Sequence, residues 1–193
     1  MIRTIKQGAI VVYDCEWTSW PGAQDSNWSL PWQHKEIIQI GAVKLDVGDG
    51  FREIDSFERF VRPERNPELS DYIIELTGIT QNQIDQHGVS FPMALADFTR
   101  FLSDVEMVLS YGGDGNVIEQ NCALTGIPKP SIFLKEHNVR RTLQELGFVT
   151  RTTVSSSLPA HLGLEHFEHP HNALGDARAV AASIRHLRKA SHV

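Results

Sequence analysis

Cysteine is scarce in this chain of 193 residues, which contains only Cys15 and Cys122. Two cysteines cannot form the disulfide framework that is typical of small secreted proteins. No apolar run reaches the roughly 18 residues that suggest a membrane-spanning helix, and residues 1–14 do not have the pattern of a secretory signal. We therefore expect a protein of the reducing cytoplasm that has no membrane partner.

An excess of positive charge is also absent. The chain has 18 Lys and Arg against 24 Asp and Glu, a net charge of −6. This balance argues against broad electrostatic adhesion to nucleic acid, which usually needs a basic surface. It does not exclude an enzyme that acts at one end of a nucleic acid, because a metal site built from carboxylates adds negative charge of its own.

The pattern of apolar and turn residues predicts an α/β protein. The hydrophobic content of 41% is ordinary for a globular protein, and the length favours one domain over residues 1–193. Strands are predicted at 9–16, 36–46, 51–63 and 106–111. Helices are predicted at 70–79, 80–86, 91–103, 115–125, 138–147, 158–164 and 173–189. This order favours a mixed sheet with helices on its faces.

Two carboxylates, Asp14 and Glu16, end the apolar run of the first strand. Side chains alternate along a strand, so these two share a face while Tyr13 and Cys15 point the other way. Their Cα atoms are expected about 7 Å apart, which allows both carboxylates to converge on one cation. The pair alone does not establish a metal site, because two solvated acids beyond the end of the strand are a common arrangement.

The last helix carries a third carboxylate, Asp176, on the same apolar stripe as Val180 and Leu187. A carboxylate on a buried face needs a partner, since an unpaired buried charge is costly. His171 lies five residues earlier and can share a site with Asp176 only if it lies in the loop before the helix. A histidine in that position can take a proton from water near neutral pH.

Asp114 follows the strand predicted at 106–111 and stands where a helix begins. One interpretation is structural, because Asp is a favoured helix cap. The other is functional, because sites in α/β proteins gather at the carboxyl ends of strands. The sequence leaves both open.

Together these segments resemble the three motifs of the DEDDh 3′–5′ exonucleases. The matching pieces are Asp14-Cys15-Glu16, then Asp114, then "HNALGDA" with His171 and Asp176. The stretch "EIIQIGAV" is similar to the second strand of that family, and "LTGIT" is similar to the segment beside the 3′ end of the substrate. The second motif, "SYGGDGNVIEQN", lacks the aromatic residue that usually precedes its Asp. Within the family the resemblance is to the Eri-like exoribonuclease branch.

The resemblance implies a ribonuclease H-like fold with a five-stranded mixed sheet flanked by helices. It also implies hydrolysis of single-stranded RNA from the 3′ end, with release of nucleoside 5′-monophosphates. Two divalent cations, Mg²⁺ or Mn²⁺, would be held by Asp14, Glu16, Asp114 and Asp176, with Asp14 bridging and His171 as general base. Substrate contacts are implied at Trp17, Thr18, Leu76, Thr77 and Gly78.

All four tryptophans, Trp17, Trp20, Trp28 and Trp32, lie within sixteen residues. Such a loop beside the first motif could stack on unpaired bases. Trp17 and Trp20 are the candidates for substrate contact. At least two of the four are expected to pack beneath the loop as a small satellite core.

Other functions fit parts of the pattern. Within the enzyme class, a 3′–5′ DNA exonuclease is the alternative. A non-catalytic nucleic-acid-binding domain on the same fold is a second alternative, although the presence of all five catalytic residue types argues against it. A zinc-binding module is a third, since four histidines cluster at 161, 166, 169 and 171, but their spacing matches no HExxH pattern. Many relatives dimerise, so a homodimer is one expected assembly.

Overall fold

The computed structural model describes residues 7–150, 152–164 and 171–189. Its centre is a five-stranded sheet built from β1 (Ala9–Trp17), β2 (Ile37–Asp46), β3 (Arg52–Phe60), β4 (Val105–Ser110) and β5 (Glu136–Asn138). The order across the sheet is β3-β2-β1-β4-β5. β1 is antiparallel to β2 and β2 to β3, whereas β4 is parallel to both β1 and β5. The predicted mixed five-stranded sheet is thereby confirmed.

The helices lie close to their predicted positions. They are α1 (Asp71–Thr77), α2 (Gln81–His87), α3 (Phe91–Phe101), α4 (Asp114–Thr125), α5 (Val139–Glu145), α6 (Leu158–His161) and α7 (Ala173–Lys189). None of them combines the length and hydropathy needed to cross a membrane. β5 was not predicted from local pattern, because three polar residues show no apolar alternation.

Alternating side chains of β1 supply both halves of the core. Ile10 and Val12 are fully buried against α7, and Val11 and Tyr13 are buried on the opposite face, against α3 and α4. Burial of one such aliphatic side chain contributes about 1.5–3 kcal/mol, which fixes the register of the strand. The even-numbered residues that follow therefore point toward α7, and Asp14 and Glu16 share a face, as the alternation predicts.

The edge of the sheet where β1 and β4 end gathers the acidic segments. These two strands are parallel neighbours, so their carboxyl ends meet. β4 leads through a short glycine-containing turn into α4, which begins at Asp114. α7 crosses the other face of β1 and β2, and its first turn lies at the same edge. The topology brings all three sequence motifs to one place.

Candidate active site

A cleft of about 620 Å³ opens at this edge of the sheet. Its lining includes all five residues predicted as catalytic: Asp14, Glu16, Asp114, His171 and Asp176. The four carboxylates are strongly buried, with exposures of 7%, 8%, 3% and 3% respectively. The structure thus brings together residues that are up to 162 positions apart in the sequence (176 − 14 = 162).

Asp114 is held by a backbone donor from the neighbouring strand. Its Oδ1 accepts a hydrogen bond from the Cys15 N–H at 3.1 Å. The N-cap of α4 is Gly113, and no side chain caps the helix. The interpretation of Asp114 as a helix cap is therefore wrong, because it is the first residue of the helix and its carboxylate faces β1.

His171 and Asp176 lie where a shared site requires them, with His171 in the loop before α7 and Asp176 on the helix. His171 precedes α7 with a left-handed φ of 61°, and Asn172 Oδ1 accepts from the Gly175 N–H at 3.0 Å to start the helix. Asp176 lies in the first turn. Its Oδ2 accepts a hydrogen bond from Ser155 Oγ at 3.1 Å, so the polar loop before α6 supports the carboxylate.

The start of α7 is fixed to the sheet by Gln39. The Gln39 Oε1 accepts from the Ala173 N–H at 2.9 Å, and its Nε2 donates to Glu58 Oε1 at 2.9 Å. Gln39 is fully buried and pairs with Glu16 across β1 and β2. One side chain therefore sets the position of α7 relative to the strand that carries the first motif.

The electrostatics of the cleft favour a bound cation. Burial, reinforced by the neighbouring carboxylates, raises the pKa of Asp14 and Glu16 well above the ordinary range. Burial also raises the pKa of Asp176, and it raises that of Asp114 to about 7 although the Cys15 N–H opposes the shift. Among the described residues, no ion pair joins these four carboxylates to a lysine or an arginine.

One group of potential ligand atoms already has the spacing of a metal site. Atoms of Glu16, His171 and Asp176 all lie within 4.8 Å of one another. Carboxylate oxygens without cysteine sulfur suit hard divalent cations such as Mg²⁺ or Mn²⁺. The residues present therefore fit the divalent metal that the resemblance implies.

The predicted substrate residues fall into two groups. Trp17 and Leu76 line the cleft. Thr18 and Thr77 are buried, and their hydroxyls bond to backbone: Thr18 Oγ1 donates to His34 O at 2.6 Å and Thr77 Oγ1 donates to Ile73 O at 2.7 Å. Gly78 ends α1 with a φ of 72°, so these three residues shape the segments that border the cleft.

The tryptophan loop differs from expectation in one position. Trp20 packs edge-on against Trp32, with ring centroids 4.9 Å apart, and it is not part of the cleft lining. Trp28 lines the cleft, and its ring centroid lies 6.5 Å from that of Trp17. The choice of Trp20 as a stacking residue is therefore not supported by its position, and Trp17 and Trp28 are the two tryptophans in the cleft lining.

Several residues of the site were not identified from the sequence. Lys35, Tyr72 and Ser155 also line the cleft, and only the polar composition of 150–157 could have indicated the last. Behind Asp114, Glu136 accepts hydrogen bonds from Tyr13 Oη at 2.5 Å and Ser110 Oγ at 2.9 Å. No sequence signal marks Glu136, since its strand has no recognisable pattern.

The histidine cluster of the zinc interpretation is only partly described. His166 and His169 lie outside the described residues, whereas His161 ends α6 and is not part of the cleft lining. His171 lies among the acids.

Comparison with known proteins agrees with this geometry. The family model described as Exonuclease matches residues 11–183. The 3′–5′ exoribonuclease 1 of Rattus norvegicus is 30% identical over 156 residues, which cover 76% of this chain and 45% of the rat protein. The 3′–5′ exonuclease Snipper of Drosophila melanogaster is 24% identical, with coverage of 90% and 66%. The chain thus spans less than half of the rat relative.

Solved structures show the same architecture. The nuclease domain of 3′hExo, a DEDDh family member bound to rAMP, superimposes with a TM-score of 0.82 at 27% identity, covering 94% of this chain and 92% of that one. The Escherichia coli ExoI–ssDNA complex has a TM-score of 0.73 at 14% identity, covering 95% and 41%, which shows a common fold only. With its three motifs gathered in one cleft, this chain belongs to the exonuclease family of DEDDh nucleases.

Proposed function

We propose that the protein is a metal-dependent 3′–5′ exonuclease that acts on single-stranded nucleic acid, preferentially RNA, and releases nucleoside 5′-monophosphates. The observation that carries the proposal is the burial of four carboxylates beside His171 in one open cleft. Such a cluster is unfavourable without a cation. The family match supports the direction and the type of reaction.

Two Mg²⁺ or Mn²⁺ ions would be held by Asp14, Glu16 and Asp176, with Asp114 in support. When bound, the two ions stabilise both the attacking and the leaving oxygen of an in-line displacement. The rigid positions of the carboxylates, two on β1 and one at each helix start, pre-organise this arrangement.

His171 is proposed to remove a proton from the attacking water. It is half-buried and lies at the loop-to-helix junction, among the ligand atoms of Glu16 and Asp176. The charge of His171 lowers the pKa of Asp176, against the larger effect of burial, which raises it. General-base catalysis of this kind typically contributes 10²–10⁴-fold to the rate.

The 3′-terminal nucleotide is proposed to lie against Trp17 and Leu76, with Thr18, Thr77 and Gly78 holding the two bordering segments. An aromatic surface that stacks on unpaired bases is tolerant of sequence. The preference for RNA is supported by relatives named exoribonucleases. It is also supported by a structural neighbour described as recognising the 3′ end of a histone mRNA stem-loop, at 27% identity and a TM-score of 0.81.

The test is degradation of 5′-labelled single-stranded RNA and DNA of one sequence, with Mg²⁺ or Mn²⁺ and with EDTA. A ladder that shortens from the 3′ end, faster on RNA and abolished by EDTA, is the expected result. Faster shortening of DNA would instead support the DNA exonuclease. Absence of degradation of both polymers by folded, metal-supplied protein would overturn the proposal.

A further inference from the structure

A second groove continues from the acidic cleft along the outer face of α4. Its volume is about 460 Å³, and it runs between the tryptophan loop and the helix. Four residues line both spaces: Asn27, Trp28, Lys35 and Gln120. The remaining lining residues are Gln33, His34, Ala123 and Leu124. The groove therefore adjoins the cleft at these four residues.

Trp28 is held rigidly at the junction of the two spaces. Its indole Nε1–H donates to Thr18 O at 3.1 Å, and its backbone N–H donates to Ala23 O at 2.8 Å. Thr18 is itself tied to Glu36 and His34. The ring is only partly buried. A half-exposed aromatic ring fixed by its own N–H is a pre-organised surface for stacking.

Lys35 places a positive charge on that aromatic surface. Its Nζ lies 4.0 Å from the centroid of the Trp28 ring and 3.3 Å from Asn27 Oδ1. Within the described ranges Lys35 forms no ion pair, and partial burial lowers its pKa. An ammonium group without a carboxylate partner, in a chain of net charge −6, is suited to an anionic ligand.

Gln33 also lines the groove and is 8% exposed. Its Oε1 is shielded from solvent and has no hydrogen-bond donor within the described part of the chain. The groove therefore offers an accessible aromatic ring and a cation, which together match the base and the phosphate of one nucleotide.

We propose that this groove, lined by Trp28, Lys35 and Gln33, holds unpaired nucleotides of the substrate strand on the 5′ side of the scissile bond. This inference rests on the proposed function, because it requires a strand whose 3′ end lies in the cleft. Lys35 contacts a phosphate, and when its Nζ moves from the Trp28 ring to that phosphate, the ring is free to pack against a base. The loop between β1 and β2 then acts as a second binding site for the strand.

The experiment compares binding of AMP, which can fill the cleft alone, with binding of the RNA hexanucleotide A6. Dissociation constants are measured by titration with Ca²⁺ in place of Mg²⁺, so that no strand is cut. Trp28→Ala should weaken A6 binding about fivefold or more. Lys35→Gln should lower the slope of log affinity against log salt by about 0.7, as expected for one lost phosphate contact to a single strand. AMP affinity should fall by a smaller factor than A6 affinity in both variants, because AMP lacks the nucleotides that reach the groove.

Trp32→Ala and Lys44→Gln are the matched controls, because neither residue lines the cleft or the groove. Lys35→Arg should retain the salt slope. Equal losses for AMP and A6, or an unchanged salt slope in Lys35→Gln, would overturn the groove assignment. Failure of the proposed function is seen separately, as wild-type protein that binds but does not shorten A6 with Mg²⁺.

Discussion

Gly41 lies directly against the backbone of Leu174. A Cβ atom at position 41 would approach the Leu174 N and the Ala173 carbonyl carbon closer than 3.0 Å, a separation that real Cβ atoms do not show. Gly41 also pairs with Asp14 across β1 and β2. The absent side chain therefore lets the first turn of α7, with Asp176, lie beside the strand that carries the first motif.

Replacement of Gly41 by alanine should displace α7 from the sheet. The clash is with backbone, which cannot rotate away, so we expect a loss of about 1–3 kcal/mol in the free energy of unfolding and a loss of divalent-metal affinity. Thermal unfolding and a Mg²⁺ titration measure the two effects. Gly48→Ala is the control, because its Cβ would meet only Asp46 Oδ1, at 3.4 Å. Equal effects of the two substitutions would contradict the explanation.

Removal of the Ser155 hydroxyl should weaken the metal site without unfolding the protein. Ser155 Oγ donates to Asp176 Oδ2, and loss of a group that orients a ligand typically costs 10–100-fold in metal affinity or activity. We expect Ser155→Ala to raise the half-saturating Mg²⁺ concentration about tenfold. Ser157→Ala, two residues away, should match the wild type, because the Ser157 Oγ donates to Val154 O. An unchanged Mg²⁺ requirement in Ser155→Ala would show that this hydroxyl does not position Asp176.

Replacement of His171 should slow catalysis without loss of substrate binding. The residue has a left-handed φ of 61°, a conformation that asparagine tolerates better than alanine. His171→Asn should therefore preserve the backbone and lower kcat about 10²–10⁴-fold, the usual contribution of a general base. Single-turnover degradation of labelled RNA measures the effect. A kcat within a few-fold of wild type would assign the proton transfer to another group.

The stability of the metal-free protein should fall as the pH rises. Burial raises the carboxyl pKa values in the folded state, so the folded protein retains protons that the unfolded chain releases. The stabilisation of the folded state by these bound protons is complete below the ordinary Asp pKa of 3.8. It is lost as the pH rises through the pKa of the folded state, which is about 7 for Asp114. In EDTA, Tm should decrease from about pH 4 to pH 8, and Mg²⁺ should reverse much of the decrease.

Asp114→Asn provides the control for this pH dependence. In EDTA, the Tm of this variant should decrease less steeply with pH than that of the wild type, since the substitution removes one carboxyl group whose pKa is raised. A Tm that is constant or rises with pH in the metal-free wild type would contradict the electrostatic description of the cleft.

Most of the fold could be predicted from local pattern, and the five central site residues could be predicted from local pattern together with the resemblance to the DEDDh exonucleases. Alternation along β1 placed Asp14 and Glu16 on one face, and the five-residue spacing of His171 and Asp176 required a loop before the helix. The helical stripe placed Asp176 on the buried side. These are properties of neighbouring residues, which a sequence displays directly.

The rest of the site depends on contacts between distant segments. Glu136 is held behind Asp114 by hydrogen bonds from Tyr13 and Ser110. Gln39 accepts a hydrogen bond from the Ala173 N–H at the start of α7, 134 residues away. The division of the tryptophans into Trp20, which packs on Trp32, and Trp28, which lines the cleft, follows from the path of one loop. Local pattern carries no information about such pairings.

The most direct test of the central claim is degradation of RNA by wild type and Asp14→Asn side by side. The substrate carries its label on the 3′-terminal nucleotide, and the product is identified by chromatography. We predict that wild type with Mg²⁺ releases the label first as a nucleoside 5′-monophosphate, while folded Asp14→Asn does not. Release at the wild-type rate by Asp14→Asn, or release first as a longer fragment, would contradict the acidic cleft as the site of exonuclease chemistry.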